Sequence, residues 1–156
     1  MVLPTLSAKK LSTEEPQGVT VYVGLKGLRT VFDEMLEELK NKGTYFDFGV
    51  SGLFQEIMPA YWDLWQKRKK KLRIKSHVIF NESLKETNRK LLADYTGEKR
   101  FHQKEFPSIT DTIIFNDKVV LIIWTAKPPI AIVIRNKENA ESYLNQFRIL
   151  WGACKS

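Results

Sequence analysis

The two histidines are the side chains of this sequence best suited to nucleophilic chemistry. His102 and Lys104 form an H-x-K pair, in which an imidazole can attack phosphorus while an ammonium group holds the phosphate oxygens. Five residues after Lys104 stands Ile109 rather than an aspartate, and Pro107 separates the pair from the next strands, so we interpret the H-x-K pair as a chance match. His77 alternates along a basic strand, a position more typical of a sheet surface than of a ligand cleft. We therefore predict no catalytic residue.

Residues 110–125 have the pattern of a β-hairpin. Two runs rich in β-branched residues, 113–115 and 119–123, flank Asn116 and Asp117, and such a dipeptide between strands favours a tight turn. Asp117 is a turn residue first, because aspartate tolerates the backbone angles that a hairpin turn needs.

Composition excludes several classes of protein. The chain has 156 residues with 43% hydrophobic content, enough for one domain with its own core. Its longest apolar run, Val119–Trp124, is far too short to span a membrane, and the N-terminus does not resemble a signal peptide. One cysteine and two histidines leave little material for a metal site. We expect a cytoplasmic protein with no membrane partner, no metal and no cofactor.

A basic run carries the net charge of +7. Seven of the ten residues from Gln66 to Lys75 are cationic. Such a run can attract the phosphates of nucleic acid, but lysines at the end of a helix also favour its dipole and its solvation. No aromatic residues are interleaved as a base-stacking surface would require, so we favour a solvated helix end. The alternative nucleic-acid site comprises Lys67, Arg68, Lys69, Lys70 and Lys71.

Strand and helix periodicities alternate along the chain. We predict that residues 1–18 form a flexible N-terminal tail and that residues 19–156 form a single domain. This order predicts an α/β fold in which a mixed β-sheet is flanked by helices on both faces. The predicted strands are 19–23, 44–50, 73–80, 100–106, the hairpin and 130–134. The predicted helices are about 25–39, 53–72 with a restart at Pro59, 84–97 and 136–154.

Short motifs follow one another in a distinctive order from residue 21 to residue 151. They are V-Y-V-G-L-K-G-L at 21–28, F-D-F-G at 46–49, P-x-Y-W at 59–62, V-I-F-N-E-S at 78–83 and F-x-x-L-W at 147–151, together with the basic helix and the hairpin. In this order they resemble the effector domain of archaeal TrmB-type transcriptional regulators. That family is similar in fold to one lobe of phospholipase D, so the resemblance implies a phospholipase D-like lobe.

The same resemblance implies where a ligand binds. In phospholipase D-like enzymes the hairpin carries H-x-K-x4-D-x6-G-[ST]; aligned on Asp117, the His and Lys places hold threonines and the Gly-Ser place holds Trp-Thr. Threonine does not replace the histidine nucleophile, so we expect the chain not to be an enzyme. Short hydroxyls and an indole suit a polar metabolite instead. With the serine after the second strand included, the predicted ligand-binding residues are Ser51, Thr110, Thr112, Asp117, Trp124 and Thr125.

The function implied by the resemblance is a non-catalytic, ligand-responsive effector and dimerisation domain. We expect a homodimer, with the aromatic face around Tyr61, Trp62 and Trp65 buried between the copies, and a small polar metabolite as ligand, sugars being among the candidates. A winged helix needs roughly 60 residues, and only 18 precede Val19. DNA is therefore expected to bind only through a winged-helix domain or partner chain that is not present in this sequence.

Two alternatives stay open. One is a divergent phospholipase D-like phosphodiesterase or nuclease that uses His102 or His77 with the basic run. The other is a basic nucleic-acid-binding protein driven by the lysines alone.

Overall fold

The computed structural model describes residues 18–103 and 108–156, so the predicted tail lies outside them except for Gly18. The strands of the described residues are β1 (Gly18–Val23), β2 (Thr44–Val50), β3 (Lys75–Asn81), β4 (Glu98–His102), β5 (Thr110–Phe115), β6 (Lys118–Ile123) and β7 (Ile130–Arg135). The helices are α1 (Gly24–Leu39), α2 (Leu53–Ile57), α3 (Pro59–Lys71), α4 (Leu84–Thr87), α5 (Arg89–Asp94) and α6 (Lys137–Ala153).

These strands form one mixed sheet in the order β1-β7-β6-β5-β2-β3-β4. β2, β3 and β4 run parallel, whereas β5 lies antiparallel to β2 and the remaining pairs are antiparallel. The parallel half comes from the strand–helix units, and the antiparallel half begins with the hairpin, whose strands β5 and β6 pair along their whole length. The predicted α/β fold with a mixed sheet is confirmed.

Helices cover both faces of the sheet, as predicted. α1 and α3 pack on one face over the larger core, and α6 packs on the other, with Phe147 in a smaller cluster. Among residues 18–103 and 108–156, none of the helices has the length and apolar content that crossing a membrane requires. The stripe predicted on α1 is buried, because its apolar residues recur every three or four positions: Leu28, Val31, Phe32, Met35, Leu36 and Leu39.

The element boundaries differ from prediction around β4. The helix predicted over 84–97 is split into α4 and α5, because Asn88 leaves the helical conformation and its side chain accepts a hydrogen bond from the Leu91 amide at 3.1 Å, capping α5. The strand predicted over 100–106 starts earlier, at Glu98, and ends at His102; residues 104–106 lie outside the described residues.

The aromatic face expected at a dimer interface belongs to the core of the chain instead. Tyr61, Trp62 and Trp65 are only 6%, 5% and 3% exposed. They hold α3 against α1: the Trp65 indole donates to the Phe32 carbonyl at 3.1 Å, and the Tyr61 hydroxyl donates to Asp33 Oδ1 at 2.6 Å. The predicted role of this face in dimerisation is wrong, since a surface already buried within one copy cannot pair with another.

β1 is more exposed than the half-buried strand that its alternation predicted. Val19, Val21 and Val23 are 66%, 55% and 56% exposed. β1 is an edge strand, and its register with β7 places the valines on the α6 side of the sheet, where α6 lies over β2, β5 and β6 rather than over β1. Alternation indicates which residues share a face, but not whether another element covers that face.

Candidate ligand-binding site

Two aspartates lie inside the core on adjacent central strands. The register of β2 against β5 pairs Asp47 with Ile113 and Phe48 with Thr112. Because successive side chains of a strand point to opposite faces, Asp47, Ile113 and Asp111 share the face that α1 and α3 cover. Asp47 is 9% exposed and Asp111 only 3%. Two carboxyl groups from different segments are therefore buried as diagonal neighbours on one face of the sheet.

Lys69 reaches the same region from α3. It lies four residues after Trp65, on the buried stripe of the helix, and is 1% exposed. Its ammonium group donates to the Tyr45 hydroxyl at 3.1 Å and lies 4.3 Å from the centre of the Tyr95 ring. The Tyr95 hydroxyl is in turn hydrogen-bonded to Ser76 Oγ at 2.6 Å. Aromatic rings and one hydroxyl thus replace the water shell that this cation loses on burial.

Burial shifts the titration of all three groups. It raises the pKa of Asp47 well above its usual range, and the nearby Asp111 charge raises it further while Lys69 opposes the shift. It also raises the pKa of Asp111 to about 7, although the hydrogen bond from Trp124 opposes this. Burial lowers the pKa of Lys69 to about 7, against the attraction of Asp47. The charges of Asp47, Asp111 and Lys69 do not cancel when all three side chains are ionised. At neutral pH, therefore, either one of the acids keeps a proton or the three side chains together carry a net negative charge.

A cavity lies between this face of the sheet and helices α1, α2 and α3. Its volume is about 40 Å³, well below that of a drug-sized pocket, so in this structure it has room only for a very small ligand. Phe54 and Gln55 of α2 are the lining residues that are partly exposed, so they mark the mouth. The walls are largely aromatic, and the aromatic lining residues are Phe32, Tyr45, Phe54, Trp62, Trp65, Phe80 and Tyr95.

Both aspartates contribute to the wall of this cavity, and each has an unsatisfied oxygen. The Oδ1 atoms of Asp47 and Asp111 are buried and have no hydrogen-bond partner among the described residues. Asp111 Oδ2 accepts a hydrogen bond from the Trp124 indole at 3.0 Å, which fixes the orientation of that carboxyl group. A buried acceptor without a donor is costly. Two residues of the cavity wall therefore each have a buried carboxyl oxygen that lacks a hydrogen-bond donor.

Two of the predicted ligand-binding residues lie close to this cavity. Trp124 is 2% exposed, donates to Asp111 and stacks on Phe54 with ring centres 5.5 Å apart. Ser51 follows β2 immediately before Gly52, which lines the cavity, and its buried hydroxyl lacks a hydrogen-bond partner in the described part of the chain.

The other four predicted ligand-binding residues lie elsewhere. Thr110 and Thr112 point to the opposite face of the sheet, towards α6, because they alternate with Asp111. Thr125 is exposed in the turn after β6. Asp117 lies at the far end of the hairpin, where it accepts from Arg135 Nε at 3.0 Å and from Lys118 Nζ at 3.3 Å. The structure therefore does not bring the six predicted residues together in one cleft.

Partial burial would raise the pKa of Asp117, but the hydrogen bonds and charges of Arg135 and Lys118 outweigh it and hold that pKa below its usual value. The ionised Asp117 carboxylate, bound by Arg135 and Lys118, therefore stabilises the turn between β5 and β6. This is the turn position that the hairpin pattern indicated.

Neither the two histidines nor the cationic residues of the basic run line the cavity. His77 stacks on Phe46 with ring centres 5.3 Å apart and pairs with the Glu98 carboxylate on the α6 face. His102 ends β4, while Lys104 lies outside the described residues. Of the five residues in the alternative nucleic-acid site, Lys67, Lys70 and Lys71 are exposed, Arg68 pairs with Asp33 at 2.8 Å, and Lys69 is buried. Lys69 is thus wrongly included in a solvated nucleic-acid surface.

Sequence reasoning missed Asp47, Asp111 and the burial of Lys69. A signal was present, since aspartate is depleted from strand interiors, and Asp47 stands between two phenylalanines. Lys69 continues the spacing of Tyr61 and Trp65, four residues apart, on the apolar side of α3.

The chain is an α/β domain with the fold of one phospholipase D-like lobe. Its cavity is lined by two aspartates and by aromatic side chains. No family model and no curated protein matches the chain. Among solved structures, the chain is similar to TrmBL2, an archaeal chromatin protein whose structure shows a novel mode of DNA binding. The TM-score is 0.59 and the identity 15%, over 98% of this chain and 59% of the TrmBL2 chain. This chain thus spans less than two thirds of TrmBL2.

A second similar structure is NucT from Helicobacter pylori. The TM-score is 0.60 and the identity 12%, over 90% of this chain and 99% of the NucT chain. At these identities the two likenesses show the fold alone, and they agree with the phospholipase D-like lobe that the sequence implied.

The NucT comparison corrects one prediction. Threonines at the His and Lys places led us to expect that the chain is not an enzyme, and the match to NucT, a phospholipase D-like nuclease, contradicts that expectation. The reasoning failed because it tested a single motif in a single hairpin, whereas the whole fold is shared with a nuclease. A fold match at 12% identity does not itself assign a reaction to this chain.

Proposed function

We propose that this chain is a ligand-responsive effector domain of a TrmB-like transcription regulator, with a small polar metabolite bound in the cavity beneath the sheet. The pair of unpartnered oxygens on Asp47 and Asp111, two residues of one cavity wall, carries this proposal. A core that served packing alone has no use for two buried acceptors without donors. The fold shared with TrmBL2 supports the regulator class.

In this proposal Asp47 and Asp111 accept the hydrogen bonds of the ligand. Trp124 fixes the Asp111 carboxyl and extends the aromatic wall through Phe54. The mouth on α2, a helix of only five residues, gives the ligand its entry.

The partners in this proposal follow from the regulator class. The protein acts in the cytoplasm as a homodimer, and it reaches DNA through a winged-helix domain or a partner chain. The DNA binding of TrmBL2 supports DNA as the final target. Ligand binding would alter how the domain pairs or docks, and so change DNA affinity by a coupling free energy.

A thermal-shift screen of the full chain tests the proposal. The panel contains sugars, sugar phosphates, nucleotides and small amines, because a ligand selective for the folded state raises the melting temperature by mass action. We expect one chemical class to raise it in the wild type and in Asp63→Asn, which changes an exposed aspartate, but not in Asp111→Asn. If no class raises it, or if Asp111→Asn responds like the wild type, the cavity is not the ligand site.

The fold shared with NucT favours a second candidate, a divergent phosphodiesterase or nuclease. Its test is hydrolysis of bis(4-nitrophenyl) phosphate and of single-stranded DNA by the wild type, His102→Ala and His77→Ala. Hydrolysis that disappears with one of these histidines would support this candidate, whereas hydrolysis unchanged in both variants would remove the proposed histidine nucleophile.

A further inference from the structure

The charges around the cavity narrow the class of ligand. Among the lining residues, the side chains that can carry a full charge at neutral pH are Asp47 and Asp111, and both are acidic. Lys69 is not a lining residue; it contacts Tyr45 and Tyr95, whose rings stand in the wall. The cavity wall is therefore acidic, and Lys69 lies behind it.

A neutral ligand would not complete this arrangement. The hydroxyls of a sugar can donate to the two Oδ1 atoms, but two acids then still face one lysine, so one acid keeps its proton or its negative charge stays uncompensated. A buried charge without a counter-charge is expensive, and the usual remedies are a proton or an opposite charge. A ligand with one positive charge and at least two N–H or O–H donors meets both needs at once, because it neutralises the pair and satisfies both free oxygens.

The aromatic walls suit the same ligand. Phe32 and Phe54 are stacked with ring centres 4.2 Å apart, and Phe54 and Trp124 with ring centres 5.5 Å apart. Ring faces attract cations, and the chain already uses this attraction for its own ammonium group, which lies over the Tyr95 ring. Of the described residues, no three His, Cys, Asp or Glu side chains cluster as ligands for a metal ion. The cation that fits is therefore organic.

We infer that the cavity binds a small organic ammonium ion, whose N–H groups donate to Asp47 and Asp111 and whose carbon atoms contact the aromatic wall at Phe54. This inference rests on the proposed function and replaces the sugar expected from the sequence with a cationic metabolite. The positive charge is the specificity element, since a neutral compound of the same shape keeps the contacts but not the charge balance.

Matched pairs of compounds test the inference by isothermal titration calorimetry on the full chain at pH 7.5. One pair is ethanolammonium and ethylene glycol, and the other is putrescine and 1,4-butanediol. We expect the ammonium member of at least one pair to bind and its neutral counterpart to bind at least tenfold more weakly. Asp111→Asn and Asp47→Asn should each weaken the ammonium compound at least tenfold, whereas Asp63→Asn should leave its affinity unchanged.

Each other outcome has a distinct meaning. Equal binding of the two members of a pair, or tight ammonium binding by both Asp111→Asn and Asp47→Asn, overturns the inference. A sugar that binds in a manner dependent on Asp111 also overturns it, yet leaves the proposed ligand-responsive domain intact. Absence of binding by every class of compound overturns both.

Discussion

Replacing Asp111 with asparagine should remove an unusual dependence of stability on pH. The pKa of this carboxyl group rises from 3.8 to about 7 on folding, so the native state binds a proton that the unfolded state has already lost. Stability contributed by this group is fully present below about pH 4 and is lost as pH rises through 7. A pKa difference of about three is worth roughly 4 kcal/mol of unfolding free energy. Other titratable groups around the cavity are Asp47, Tyr45 and Tyr95 in its wall, and Lys69 behind the wall.

The assay is urea denaturation of the ligand-free wild type and of Asp111→Asn at intervals from pH 4.5 to 7.5. Asparagine keeps an oxygen that can accept from the Trp124 indole but cannot ionise, so the variant should lose most of the decline. At pH 7.5 it should be more stable than the wild type, by up to about 4 kcal/mol. Acids in ion pairs, such as Asp117, make the unfolding free energy rise with pH instead. The quantity to compare is therefore the difference in unfolding free energy between the wild type and Asp111→Asn at each pH.

Asp63→Asn is the matched control, because it removes one exposed carboxylate that does not line the cavity. Its curve should run parallel to that of the wild type. If the Asp111→Asn curve is also parallel, or if the wild type gains stability between pH 4.5 and 7 as strongly as the variant does, then Asp111 does not carry a raised pKa and the electrostatic account of the site is wrong.

Three further changes have defined outcomes. Lys69→Met should abolish a rise in unfolding free energy between about pH 7 and 10, measured by urea denaturation, because the pKa of Lys69 falls from 10.5 to about 7 on folding and the native state releases its proton first. Gly49→Ala should lower stability by about 2 kcal/mol or more, measured by thermal melting, since Gly49 has φ +78° and an added Cβ would lie 2.4 Å from the Thr110 carbonyl oxygen. Asp117→Ala should cost about 1 kcal/mol through its lost bond to Arg135, and should leave ligand affinity unchanged in the same titrations.

The fold could be predicted from the sequence in those segments where a periodic pattern of apolar residues coincided with a turn signal. The hairpin is the clearest case, because Asn116 and Asp117 fix both its turn and its register, and the pairing of Thr110 with Ile123 follows. α1 was equally clear, since its buried stripe depends only on spacing along the helix. Neither feature requires knowledge of distant parts of the chain.

The site was harder to predict because it depends on register between distant strands. Asp47 and Asp111 are 64 residues apart, and they meet only because β5 inserts beside β2 and pairs Phe48 with Thr112. No local pattern contains that pairing. Lys69 shows a different limit: its neighbours in sequence are lysines, so composition indicated a solvated helix end, whereas its place on the stripe of Trp65 put it in the core.

The energetic cost of the acidic pair is itself a reason to assign it a function. If stability alone mattered, asparagine at position 111 would still accept from the Trp124 indole, and it would avoid the loss of several kcal/mol that a raised pKa imposes at neutral pH. Positions that break a local rule without a packing benefit are expected at functional sites. A ligand that binds only the native state offsets this loss, because it raises the unfolding free energy by RT ln(1 + [L]/Kd). Because Asp111 loses its proton as pH rises through about 7, the domain should respond to a cationic ligand more strongly above pH 7 than below it.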